Sequence, residues 1–173
     1  VLIDDARTPL IISGPTAVGK TSVSVALAKH YNCEILSADS RQFFKELTIG
    51  TAKPTYEEMD GVTHHFIGNR SISEDYTAGK FEYDALKVLD TIFKKHDVAI
   101  LVGGSGLYID ALCNGLDDVP CDKNLRDELT TTFEKTGITF LQKELQENDI
   151  DYFNIVDKNN PHRLIRGVEV FRL

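Results

Sequence analysis

Residues Gly14-Pro15-Thr16-Ala17-Val18-Gly19-Lys20-Thr21 bracket four positions between two glycines, add a lysine and a hydroxyl, and directly follow Leu10-Ile11-Ile12-Ser13. That spacing suits a loop that wraps a phosphate. Glycines let the backbone curl around an anion, successive N–H groups turn inward, and the helix that follows presents its positive dipole end. Lys20 is then placed to reach terminal phosphate oxygens. Thr21 offers a hydroxyl to Mg²⁺, a cation that keeps several waters and takes most of its other oxygens from the phosphates themselves. Phosphoryl transfer from ATP is the default chemistry of such a loop, but the loop alone does not say which phosphate compound it holds.

These residues need a strand before them and a helix after. The chain reads as strand, loop, a helix over about Lys20 to His30, and a second strand around Glu34 to Ser37 that ends at Asp39. Phe81, Ala85, Leu86, Leu89, Ile92 and Phe93 recur at three- and four-residue spacing, which predicts a long helix with all six on its buried face. The apolar run Val98 to Val102, broken by Gly103-Gly104, leads into a helix from about Ser105 to Cys113. Strands alternating with helices predict an α/β fold, a P-loop NTPase-like parallel sheet flanked by helices. In such sheets ligands sit beyond the carboxyl ends of the strands, and the loop, Asp39 and Ser105 all fall at that edge. After Pro120 the patterns are helical only: Asp122 to Lys135, stopped by Gly137, then Phe140 to Glu147 and Pro161 to Leu173. The chain stops inside that last pattern without a capping signal, so it is expected to be a truncated protein or a fragment.

With 173 residues, 42% hydrophobic and 27% charged, the chain has the balance of one soluble globular core. Apolar runs such as Val98 to Val102 fall far short of the roughly 20 residues that a bilayer crossing needs, and the N-terminus lacks the pattern of a secretion signal. Cys33, Cys113 and Cys121 show no CxxC spacing and read as reduced thiols of a cytoplasmic protein. A net charge of −8 argues against a nucleic-acid partner, because Lys and Arg carry most affinity for phosphates. The distribution matters more: Asp117 to Asp151 is −6, whereas Lys158 to Arg172 is +3. His64 and His65, adjacent on a strand, would point to opposite faces, so a structural role or one supporting the residues of a site is expected rather than joint chelation of a metal.

Beyond the loop stand Asp39-Ser40-Arg41-Gln42, Ile49-Gly50-Thr51-Ala52-Lys53-Pro54, His64-His65-Phe66, Tyr76 to Ala85 (YTAGKFEYDA), Gly103 to Tyr108 (GGSGLY) and Asn160 to Val170 (NPHRLIRGVEV). This ordered set resembles the tRNA dimethylallyltransferase family, also called tRNA isopentenyltransferases, from Leu10 to the last residue. The resemblance implies a core over residues 10–118, a small helical insertion over 119–158, and the start of a returning tRNA-binding helix over 159–173. Leu2 to Pro15 (LIDDARTPLIISGP) resembles instead a segment of the preprotein-translocase motor ATPase. Nothing after Pro15 continues that likeness, so residues 1–9 are set apart as a leader of foreign or extended origin.

The family's reaction uses dimethylallyl diphosphate as donor, with its diphosphate in the loop, and the exocyclic amine of the adenosine 3′ of the anticodon as acceptor. The amine must lose a proton as the allylic carbon is attacked, which makes Asp39 the candidate general base. A helix N-cap or a magnesium ligand are its alternative roles. Lys20, the loop amides and Mg²⁺ would stabilise the leaving diphosphate, with Arg126 and Arg163 as further candidates. Ser105 stands where the family normally has Thr, and its retained hydroxyl is expected to reach the bridging oxygen or the adenine. By the same resemblance Asp39, Ser40, Arg41, Gln42 and Ser105 meet the target base and its neighbours, and Arg126, His162, Arg163, Leu164, Ile165 and Arg166 meet the tRNA. The anticodon loop favours this, since its bases are already single-stranded and cheaper to extrude. A monomer is expected. An adenylate isopentenyltransferase making free cytokinin, an ATP-dependent small-molecule kinase and a translocation-motor fragment are the competing readings; IGTAKP and the basic NPHRLIRGVEV segment favour the tRNA enzyme.

Overall fold

The computed structural model describes residues 7–116 and 119–173, which divide into two compact units, Val1–Leu116 and Asp117–Leu173. In the first, the chain runs β1 (Thr8–Ser13), α1 (Lys20–Tyr31), β2 (Ile35–Ser37), α2 (Tyr56–Met59), β3 (His64–His65), α3 (Ala78–Ile92), β4 (Val98–Gly103) and α4 (Gly106–Asn114). The strands form one sheet in the order β1-β4-β2-β3, and every pairing is parallel, as the alternation of strand and helix requires. The register sets Ser13 beside Gly103 and Ser37 beside Val102, so three strands stop at one level.

β1 begins earlier than expected. Thr8 pairs with Val98 and Pro9 with Ala99, so residues 8 and 9 belong to the sheet rather than to a leader. Pro9 is tolerated because β1 lies at an edge of the sheet, where a missing N–H costs least. The expected leader's first six residues lie outside the described residues.

Both faces of the sheet are covered. Ile35 and Ile100 pack with Val25 and Ala28 of α1, while Leu36 and Leu101 face Phe81, Ala85 and Leu89 of α3. Phe43 lies at the centre of the second face, in ring contact with Phe66, Tyr76, Phe81 and Tyr108. Burial pushes the Tyr76 hydroxyl up to about 12, even though Arg70 opposes the rise. Of the six apolar positions expected on the buried face of this helical segment, Leu86 is the exception and is exposed. It lies five residues beyond Phe81, roughly 140° around the helix.

The end of β4 comes unusually close to β2. A β-carbon on Gly103 would sit 2.1 Å from the Ala38 carbonyl oxygen, so only glycine fits. The Ala38 amide donates to Val102 O at 2.7 Å, and the Ser105 amide donates back to Ala38 O at 3.2 Å.

The second unit is all helical: α5 (Lys123–Thr136), α6 (Thr139–Asn148), α7 (Ile150–Ile155) and α8 (Pro161–Arg172). The short α7, capped by Asp149, was not foreseen. Leu129, Leu141, Leu145, Leu164, Ile165 and Val168 form its core. α8, within the segment 159–173, buries its apolar stripe against α5 and α6 in the same unit as the expected insertion. Asp117 and Asp118, at the expected boundary, lie outside the described residues.

Glu169, wholly buried on α8, accepts bonds from Arg126 Nε at 3.0 Å and Nη2 at 2.8 Å, from Arg166 Nη1 at 2.8 Å, and from the Asp122 amide at 2.9 Å. Burial by itself would raise this carboxyl, but the Arg166, Arg126 and Asp122 donors outweigh it and hold it below the usual carboxylate range. Glu169→Ala is expected to cost roughly 1.5–3 kcal/mol at neutral pH, the worth of hydrogen bonds to a charged group. Because the folded carboxyl is depressed, its contribution is present above the unfolded value of about 4.3 and disappears as pH falls through the folded value. Urea unfolding of parent and variant across that range checks this: the gap should narrow in acid, and a constant gap would assign the loss to packing.

Candidate active site

A cleft of about 490 Å³ opens at the carboxyl edge of the sheet and is lined by Lys20, Thr21, Asp39, Gln42, Lys53 and His64 among others. Its floor is the turn from β1 into α1. Ala17 takes a left-handed φ of 65° and Gly19, the N-cap of α1, a φ of 92°, so two reversals of the backbone fit between strand and helix. No side chain caps α1 among the described residues, which leaves the first-turn amides and the dipole end facing this cleft. Lys20 Nζ arches over the loop and donates to Gly14 O at 2.8 Å and Pro15 O at 2.5 Å. Gly14 and Thr16 to Gly19 thus shape the loop, and Lys20 and Thr21 line the cleft.

Asp39 reaches the same cleft from the end of β2. Its Oδ1 accepts the Arg41 amide at 3.0 Å, which closes a turn over residues 39–41, so the N-cap role is corrected: the side chain caps a turn, not an α-helix. Gln42 is a brace. Its amide accepts from Ser37 Oγ at 3.0 Å and donates to Thr51 O and Ala52 O at 3.1 and 3.0 Å, which ties β2 to the Ile49–Pro54 loop. Arg41 remains exposed.

Ser105 is engaged within the protein. Its Oγ accepts the Ser40 amide at 2.9 Å and donates to Ser40 Oγ at 3.2 Å. The hydroxyl is thus engaged by the Asp39 turn. It positions that turn.

Three contributors were not expected in the cleft from sequence. Lys53, from the IGTAKP run, brings a second ammonium to the cleft and donates to Phe44 O at 2.6 Å. Glu58 lines it from the capping box of α2. His64 and His65 do diverge as adjacent strand residues must: His65 Nε2 meets Glu34 at 2.6 Å, whereas His64 lines the cleft. Burial, helped by neighbouring His65, holds the His64 ring below the usual imidazole value although its bond to Val62 opposes this. Alternation along a strand was the signal available for His64, but it does not tell which of the two faces the cleft.

The hydroxyl of Thr21 and the carboxylate of Asp39 are hard oxygen donors in one cavity and fit Mg²⁺, which needs few protein ligands beside phosphates. Among the described residues no group of three or more His, Cys, Asp or Glu forms a cage for a metal.

In the helical unit the expected tRNA contacts separate into three kinds. Leu164 and Ile165 are buried in its core and are corrected to packing residues. Arg126 and Arg166 are paired to Glu169, and Arg166 also donates to Pro120 O and Val119 O. His162 and Arg163 are exposed on the first turn of α8.

The IPP transferase family model matches residues 42–173. A tRNA dimethylallyltransferase of Flavobacterium johnsoniae is 50% identical over 168 residues, 93% of this chain and 54% of that protein. One from Christiangramia forsetii is 52% identical over 160 residues, 92% of this chain and 53% of that protein. The chain therefore spans about half the length of the curated relatives it matches. Among solved structures, the full-length tRNA isopentenylpyrophosphate transferase of Bacillus halodurans superposes with a TM-score of 0.63 at 38% identity, over 96% of this chain and 56% of that one. A eukaryotic dimethylallyltransferase acting on tRNA gives 0.75 at 28% identity, over 95% and 41%. With a family match over most of its length and the sheet, loop and cleft described above, the chain belongs to the IPP transferase family.

Proposed function

We propose that this chain carries the donor-binding core of a tRNA dimethylallyltransferase, which moves a dimethylallyl group from dimethylallyl diphosphate to the exocyclic amine of the adenosine 3′ of the anticodon. The observation that carries the proposal is that Lys20, Thr21 and Asp39 line one cavity. The diphosphate lies in the loop, where Lys20 and the first-turn amides of α1 face the oxygens that gain charge as the allylic C–O bond breaks. Thr21 would help to hold a magnesium ion beside the diphosphate, which would neutralise part of that charge. Asp39 takes the proton that the amine releases as the new C–N bond forms. Ser105 acts through Ser40 by holding the turn that carries Asp39. Arg41, His162 and Arg163 are the exposed side chains proposed to meet the tRNA. The proposed setting is the cytoplasm, with the enzyme as a monomer; among the described residues no helix is long and apolar enough to cross a membrane.

Lys20→Ala should abolish binding of dimethylallyl diphosphate in a calorimetric titration while leaving the thermal transition in place. Equal affinity in variant and parent would defeat the loop assignment. Asp39→Asn should lower the single-turnover rate by roughly 10²-fold or more and leave donor affinity nearly unchanged, as for a group acting in the transition state. Collapse of affinity together with rate would make Asp39 a magnesium ligand instead. Supplying the parent with donor and either AMP or tRNA separates the acceptors: prenylation of AMP alone would assign the chain to the adenylate class.

Ser105→Ala removes the acceptor of the Ser40 amide, and hydrogen exchange at Ser40 should quicken roughly tenfold, the worth of about one ordinary hydrogen bond. Ser105→Thr retains the hydroxyl and should keep the parent rate of exchange. Unchanged exchange in the alanine variant would remove Ser105 from its positioning role.

A further inference from the structure

His64 occupies β3 opposite Ile35, so the two side chains share the sheet face covered by α1. Its Nδ1 lies 2.9 Å from Val62 O. A carbonyl only accepts, so Nδ1 carries the proton and, in the neutral ring, Nε2 presents a lone pair. That Nε2 is buried and has no hydrogen-bond partner among the described residues, while the ring itself lines the cleft with Lys20, Thr21 and Asp39. Buried polar atoms are nearly always paired, and one left unpaired at a binding cleft calls for an explanation.

We infer that His64 is a ligand-contacting residue of this cleft, its Nε2 accepting a hydrogen bond from an N–H or O–H group that the reactants bring in. The inference rests on the proposed reading of the cleft. It also divides the reactants by chemistry. The oxygens of an ionised diphosphate are acceptors, so they do not complement an acceptor nitrogen, and the diphosphate is held elsewhere, at the loop. Two sources of a donor remain: the exocyclic amine of the acceptor adenine, and water carried on a divalent cation beside the diphosphate. Both present hydrogen to a lone pair, and both would satisfy an atom that the described residues leave open.

Nitrogen-15 NMR of the histidine rings in the 173-residue chain tests this, because an imidazole nitrogen that begins to accept a hydrogen bond changes its shift while the partner nitrogen stays in place. Three additions are made separately: magnesium chloride, magnesium with inorganic diphosphate, and AMP. Movement of His64 Nε2, with Nδ1 stationary, is expected in at least one. A response to AMP assigns the amine, and a response to magnesium with diphosphate assigns metal-bound water. His64→Asn keeps a donor for Val62 O but loses the distant acceptor, and should bind the responding ligand roughly tenfold more weakly at an unchanged melting temperature. His64→Gln, whose carbonyl oxygen can reach the Nε2 position, should recover much of that loss. A stationary Nε2 in all three arms, or parent-like affinity in the asparagine variant, overturns the inference. Neither outcome depends on prenyl transfer, so failure of the parent to bind dimethylallyl diphosphate would sink the functional reading separately.

Discussion

The site depends on one constraint, the parallel register that stops β1, β2 and β4 at the same level. Ser13 stands beside Gly103 and Ser37 beside Val102. From those three ends spring the loop of Gly14 to Thr21, the turn of Asp39 and the entry to α4. In a sheet with a period of two, a slip by one residue would exchange the faces of every side chain that follows. The approach of Gly103 to Ala38 locks that register by contact, and the Ala38, Ser40 and Ser105 bonds lock it by direction. The geometry of the cleft is therefore a property of strand ends, set by backbone before any side chain is placed.

The charge distribution follows a similar logic of internal use. A positive stretch near the end of the chain invites the picture of a surface for nucleic acid, yet both Arg126 and Arg166 converge on one buried carboxylate. Arg172 is likewise paired, with Glu144. A buried carboxylate needs donors wherever it lies, and α8 together with α5 supplies them. The charge that remains to face solvent near the start of α8 comes from few side chains, chiefly Lys158 and Arg163, and Lys158 also lies over the ring of Phe153. Net charge of a segment counts residues, whereas affinity for phosphates counts the unpaired ones.

Much of this was legible in the chain itself. The loop signature, the strand and helix alternation, and the edge shared by the loop and Asp39 rest on local rules, and local rules survive folding. What escaped was decided by neighbours distant in sequence. Leu164 and Ile165 sit in a run that resembles a tRNA-contacting motif, but the same positions carry the apolar stripe of α8. Tyr76, Phe81 and Tyr108 occur in recognisable motifs as well, and here they form the aromatic packing around Phe43. The role of Ser105 was invisible because its partner, Ser40, is 65 residues away. His64 could be assigned to one of two faces, but not to which.

The cleft combines two cations, Lys20 and Lys53, with the carboxylates of Asp39 and Glu58 and the neutral ring of His64. Such a mixture is unsuited to storing a simple anion, for which carboxylates would be a cost. It suits a pair of reactants whose charges change in opposite directions: one that gains negative charge as a bond breaks, and one that gains positive charge as a bond forms. Donors belong beside the first and acceptors beside the second. The sheet meets both needs in one cavity, because α1 brings its amide end to the cleft while the turn after β2 and the strand β3 bring the acceptors Asp39 and His64. On the proposed reading, a loop for phosphate becomes a site for group transfer through what the neighbouring strands bring to its rim.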